Sequence, residues 1–312
     1  MLKNIAESLF AALATTSLLS AMSAIARADE IFVTNYNGGF GQSYIGEYDV
    51  SGAAINTALI GGQSGPTSIA VSGGNLFVTN WQTGTVGEYN ATTGATVNAS
   101  LVTGLDSPEG IAISGNDLFV TEQNNLIGEY TTSGAVVNAS LISDPGAPTG
   151  IAISGDDLFV TNYSSRYNSI SEYTTGGGTV NASLVTGLES SQALAVLGGD
   201  LFVTNFGNGT IGEYTTGGAT VNASLVSGLG AFGPDGIAAS GNDLFVVVDN
   251  PDSSSARIGE YNATTGATIN AAFITGLNGS AGIALVTPEP STSIMLAIGA
   301  AALLACRIRK RR

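Results

Sequence analysis

No histidine occurs in these 312 residues, and the only thiol, Cys306, stands in an apolar stretch near the end. A Ser-His-Asp arrangement, a histidine-ligated metal and a thiolate cluster therefore cannot be assembled, and no intramolecular disulfide can form. Carboxylates, amides and aromatic rings remain. Glu109, Asp235 and Asp249 could reach one mouth and offer oxygen ligands to Ca²⁺, but their spacing singles none of them out. The sequence thus assigns no catalytic residue, no metal ligand and no cofactor, and it points away from an enzyme. Three or more acidic or amide groups converging within ion-binding distance would reverse that reading.

Aromatic rings offer a different chemistry. Tyr36, Trp81, Tyr163 and Phe206 each follow an asparagine directly: Asn35, Asn80, Asn162 and Asn205. Flat rings beside amides suit stacking on sugars and hydrogen bonding to their hydroxyls. The same rings could instead fill gaps between neighbouring modules, and their exposure distinguishes the two.

These residues belong to a repeat. An LFVTN run returns at Ile31, Leu76, Leu118, Leu158, Leu201 and Leu244, at intervals of 45, 42, 40, 43 and 43 residues. Each copy continues through IGEY and VNASLV to GIAIS. Four short runs per unit at this period predict an all-β propeller of six blades. Abundant glycine and sparse charge agree. The small residues of GIAIS suit the innermost strand, followed outward by LFVTN, IGEY and VNASLV. Alternation of Val97, Ala99 and Leu101 with Asn98 and Ser100 suggests an outer strand with one wet face. The chain enters the first blade at its second strand, Ile31–Asn35, and finishes with a lone inner run over 282–286. That run should complete the first blade and close the ring. The body resembles the NHL and YVTN propellers, a likeness that implies fold alone, since such folds host lyases, lactonases and binding modules.

Gly46, Gly87, Gly128, Gly212 and Gly259 of IGEY leave room for a ring, expected to be the Phe of LFVTN, with Ser171 in the fourth copy. The next residue is always glutamate: Glu47, Glu88, Glu129, Glu172, Glu213 and Glu260. Lying away from the axis and evenly repeated, these six read as structural, accepting backbone or Ser/Thr hydrogen bonds. Loops between second and third strands share a face with the blade-to-blade loops, and both kinds are long and irregular. That face is the candidate for binding.

Between residues 29 and 287 only Arg166 and Arg257 are basic, against 22 acidic residues, a body charge of about −20. Such a surface excludes nucleic acid as a partner. Residues 1–28 read as a signal peptide, with Lys3, an apolar run to Ile25, and Ala26-Arg27-Ala28 for cleavage before Asp29. An N-terminal anchor is the alternative there. At the other end Pro288-Glu289-Pro290 precedes an apolar run, expected as a membrane helix over about 292–306, and a basic end, Arg307-Ile308-Arg309-Lys310-Arg311-Arg312. This segment, 288–312, resembles the PEP-CTERM sorting signal of Gram-negative bacteria that make exopolysaccharide. The resemblance implies an exosortase that recognises Pro288-Glu289-Pro290, export across the inner membrane, transient anchoring, and a final place on the cell surface or in the matrix. The domains are then a signal peptide at 1–28, a propeller at 29–287 and a sorting segment at 288–312. The expected protein is a monomeric binding or structural module. Its partners are the secretion machinery, exosortase and, as a candidate, exopolysaccharide. The competing reading is a Ca²⁺-dependent lactonase-like or sugar-modifying propeller.

Overall fold

Each Ser-Gly-Asn/Asp run forms a two-residue hairpin loop. Ser114 pairs with Asp117, and Gly115 between them takes a left-handed φ of +58°. Alternating β-branched and small residues carry the chain out from such turns as strands. A computed structural model describes residues 30–38, 41–164, 168–230, 233–249, 256–279 and 281–286. Residues 31–285 form one unit. Of the second, 1–30 with 286–312, only Glu30 and Val286 are described. The signal peptide with Ala26 and Ala28, the membrane helix and Pro288-Glu289-Pro290 therefore lie outside the described residues, as does Arg166. No helix long and apolar enough to cross a membrane occurs among the described residues.

The strands form six four-stranded antiparallel sheets. In blade 1 the order from the axis outward is Ile283–Val286, Glu30–Asn35, Ser43–Asp49 and Ala54–Gln63. The last strand among the described residues is thus the inner strand of the first blade. Thr34 fixes it: its N–H donates to Gly282 O (2.9 Å), and the Gly282 N–H donates to Thr34 Oγ1 (2.7 Å). Blades 2 to 6 run inner to outer in chain order, with inner strands Pro66–Ser72, Pro108–Ser114, Pro148–Ser154, Ser191–Leu197 and Pro234–Ser240. The expected six sectors and their closure are what the chain builds.

The core lies between blades. One layer joins Phe77, Val86 and Leu105 of blade 2 to Ile111, Val120 and Tyr130 of blade 3. The same layer recurs between blades 3 and 4, 4 and 5, 5 and 6, and 6 and 1. Each takes the Phe of one blade and the IGEY tyrosine of the next. The ring that crosses each IGEY glycine is therefore not the expected Phe. A Cβ on Gly87 would meet the ring of Tyr89, two residues on, at 2.6–2.9 Å, and Gly46, Gly128, Gly212 and Gly259 stand likewise against Tyr48, Tyr130, Tyr214 and Tyr261. Phe is drawn into the inter-blade layer instead, where more of its apolar surface leaves water.

The repeated glutamates also differ from expectation. Glu88 accepts a hydrogen bond from Asn75 Nδ2 (2.7 Å), across the strand pair. In blades 3 to 6 aspartate fills the place of Asn75. Glu129, Glu172, Glu213 and Glu260 are held above the usual carboxylate range, first by burial and then by Asp117, Asp157, Asp200 and Asp243. Four like-charge pairs therefore stand where a Ser/Thr or backbone donor was expected.

The outer strands are not wet on one face only. Their first five residues are exposed throughout, including Val97 and Ala99 of blade 2. Burial begins where the next blade's turn lies against the strand: a Cβ on Gly134, at φ +86°, would strike the Leu101 carbonyl.

Candidate functional site

Every inner strand of blades 2 to 6 bulges near its start, one residue gained on its partner between Pro66 and Ile69, for instance. The threonine of LFVTN holds the bulge. Gly110 N–H donates to Thr121 Oγ1 (2.7 Å), which donates onward to Thr149 O of blade 4 (2.6 Å). Thr161 and Thr204 do the same, to Gln192 O (3.0 Å) and Asp235 O (2.8 Å). Threonine thus sets the position of one blade's inner strand against the next. In blade 6 Val247 takes this place, packed in the apolar layer with Phe245 and Ile283.

At this level one residue per blade lines the axial channel: Thr67, Glu109, Thr149, Gln192 and Asp235 at the bulges of blades 2 to 6, and Ala281 ahead of the inner strand of blade 1. Small residues follow them, then a layer of Ile or Leu, around a cavity of about 420 Å³. Unlike the repeat that carries it, this ring is asymmetric. Glu109 and Asp235 stand three blades apart. The Asp235 carboxyl is pushed up to about 8 by burial, then by the nearby charges of Asp249 and Glu109. Burial lifts Asp249 to about 6 and also raises Glu109, which Gln123 Nε2 partly offsets by donating to its Oε1 (2.8 Å). The three acidic residues named from the sequence therefore share one electrostatic site. Among the described residues no group of three or more His, Cys, Asp or Glu has the geometry to hold a metal.

A second cavity of about 380 Å³ shares Glu109, Thr149 and Gln192 with the channel and adds Gln123, Ala147, Pro148 and Tyr163. Among the described residues neither lining contains a lysine or arginine. Tyr163 is thus brought beside the channel mouth. The four aromatic positions are equivalent in backbone. Each N–H donates to a blade-to-blade loop: Tyr36 to Asn278 O, Trp81 to Gly65 O, Tyr163 to Ala147 O and Phe206 to Ser190 O, at 2.9–3.2 Å. Side chains differ. Tyr36, Trp81 and Tyr163 are 38%, 41% and 44% exposed, while Phe206 is half-buried. Gln82 Nε2, next in sequence to Trp81, donates to the Tyr36 hydroxyl (3.3 Å).

The asparagines beside them do not reach outward. Asn35, Asn80, Asn162 and Asn205 are buried. Asn80 Oδ1 accepts from Ser64 N–H (3.0 Å) and Asn35 Oδ1 from Asn278 N–H (3.2 Å), while Asn162 lies between Asp144 and Ser171. Their amides hold the loops rather than offering hydroxyl partners. Thr67, Thr149 and Gln192 are channel residues that motif reading passes over. Their signal was the one variable letter before each G-I-A run, in a unit that otherwise repeats.

Residues 286–312 match the PEP-CTERM protein-sorting motif. The motif marks the chain for export, anchoring by its C-terminal tail and exosortase processing. No curated protein matches the chain. Among solved structures the body is similar to a chain in the crystal structure of a nidogen/laminin complex, at 14% identity and a TM-score of 0.70, covering 84% of this chain and 100% of that one. It is also similar to a protein of unknown function from Bacteroides caccae, at 14% identity and a TM-score of 0.60, covering 83% and 99%. At such identities the likeness speaks for the propeller fold alone.

Proposed function

We propose that this propeller is the binding body of an exosortase-processed protein of the cell surface or extracellular matrix, and that its long-loop face contacts exopolysaccharide. One observation carries the reading: Tyr36, Trp81 and Tyr163 keep large exposed areas on the face where the channel opens, and Tyr163 lines a cavity with Gln123, Gln192 and Thr149. Aromatic surface next to amide and hydroxyl groups suits a sugar, which presents an apolar face and a polar rim. Whether the saccharide is neutral or acidic is decided by binding to oligosaccharide arrays. Phe206 plays a smaller part, since most of its ring is covered.

The competing reading, a lactonase-like enzyme with Ca²⁺ in the channel, needs three or more oxygen ligands converging on one point. No observation favours it, and the nearest group is the electrostatic trio of Glu109, Asp235 and Asp249. Binding of the full chain to arrays of neutral and acidic oligosaccharides, with Trp81→Ala and Tyr163→Ala alongside, tests the proposal. Each substitution should weaken binding about ten-fold, the loss expected for roughly 1.4 kcal/mol of ring contact. If the intact chain binds no glycan, or binds equally after both substitutions, the proposal falls.

A further inference from the structure

The six outer strands carry no charged residue, on a body charged at about −20. Each is an edge, hydrogen-bonded on one side only. Their first five residues are exposed in every blade. The second of the five is always aliphatic: Ile55, Val97, Val137, Val180, Val221 and Ile269, all between 52% and 54% exposed. Lysine, proline and inward charge, which commonly blunt exposed edges, are absent here, although each outer strand bulges against its partner, as between Val86 and Glu88 in blade 2. Protection is partial. Asn98 Oδ1 accepts the N–H of Ser100 (3.1 Å), and the other five blades repeat this bond. Bond and bulges interrupt the edge's backbone pattern but leave the aliphatic side chains open.

Charge decides what could cover such a rim. A basic partner would be drawn to the acidic turns and loops, not to a neutral belt. Two copies of this acidic body repel each other within about 8 Å at physiological salt, so they can close only through a surface without charge. The rim is that surface, and because its strands are alike, any blade of one copy can meet any blade of another. A single strand-to-strand contact buries far less than the roughly 1,200 Å² of a stable pair. Dilute discs should then remain single, as the sequence reading expects, whereas crowded discs gain from several weak contacts at once. We propose that copies of this chain associate laterally, rim to rim, leaving both faces of each disc free. The saccharide reading is not a premise of this proposal.

Cysteine cross-linking tests it, using the full chain with Cys306→Ser. Val97→Cys with Val221→Cys places thiols on opposite sides of the rim, in blades 2 and 5. Asn116→Cys with Asp156→Cys places them on exposed turns near the axis. Under mild oxidation at high protein concentration the rim pair should give dimers and higher oligomers, about ten-fold above the axis pair. The yield should rise with added salt as repulsion is screened. Either rim cysteine alone should stop at dimers. Adding serine at Ile55, Val137, Val180 and Ile269 should cut the yield about ten-fold while circular dichroism still reports an intact β fold. Equal yields at rim and axis, or no loss on adding the serines to a folded disc, would overturn the proposal.

Discussion

Blade 2 suggests how the other blades could be made more stable. There Asn75 donates to Glu88 at 2.7 Å, and at the corresponding places Asp117, Asp157, Asp200 and Asp243 push Glu129, Glu172, Glu213 and Glu260 upward. Replacing all four aspartates by asparagine should remove four repulsions and add four charge-assisted hydrogen bonds. Like charges across a strand pair cost about 0.2–1 kcal/mol, and solvent screening at these partly open sites keeps the new bond well below its buried value. About 0.5–1.5 kcal/mol per blade follows. The sites lie in separate blades and should add, giving about 2–6 kcal/mol. At roughly 2–4 °C per kcal/mol for a body of this size, Tm should rise by about 4–24 °C. Thermal unfolding at pH 7 and low salt measures it. The gain should shrink in 1 M salt, where the screening length falls to about 3 Å. It should shrink again near pH 4, where the raised glutamates take up protons. A quadruple variant no more stable than the parent, or a gain indifferent to salt and pH, would show that the carboxylate pairs do not repel.

Other expectations follow from the channel and the blades. Asp235, at about 8 in the fold against an ordinary 3.8, binds its proton more tightly folded than unfolded. Stability should therefore fall as pH rises toward and through about 8, and Asp235→Asn should flatten that decline in pH-resolved denaturant titrations. Thr121→Val removes the hydroxyl that serves Gly110 N–H and Thr149 O. It should cost about 1–3 kcal/mol in urea unfolding, and a neutral result would mean that water replaces the bridge. Gly128→Ala drives a methyl into the Tyr130 ring and should cost about 1–3 kcal/mol by the same assay.

The architecture was legible because each unit states it again: a hairpin signal after GIAIS, β-branched runs, and an unpaired inner run at 282–286. Side-chain partners were less so. Phe77 and Tyr89 are both aromatic neighbours of Gly87, and which ring crosses it depends on the pull of the next blade's apolar layer, absent from any local pattern. Asp117 and Glu129 lie on different strands, and only register brings them together. Outer-strand alternation promised a dry face, but the neighbouring turn covers the second half of each strand alone. At the candidate site the positions of Tyr36, Trp81 and Tyr163 could be read, while the inward tasks of Asn80 and Asn162 could not. An asparagine that ends a strand looks the same in sequence whether it holds a loop or a ligand.

The bond between Thr34 and Gly282 spans 248 residues of chain. During export from the N-terminus onward, the first blade must wait for almost the whole polypeptide to emerge before its innermost strand arrives. Until then the growing arc has an unmet edge at its start. The sorting match begins at residue 286, within the strand that supplies the missing partner. A polypeptide cut short before Gly282 therefore lacks both its address and the strand that shuts the ring, and would meet proteases as an open chain.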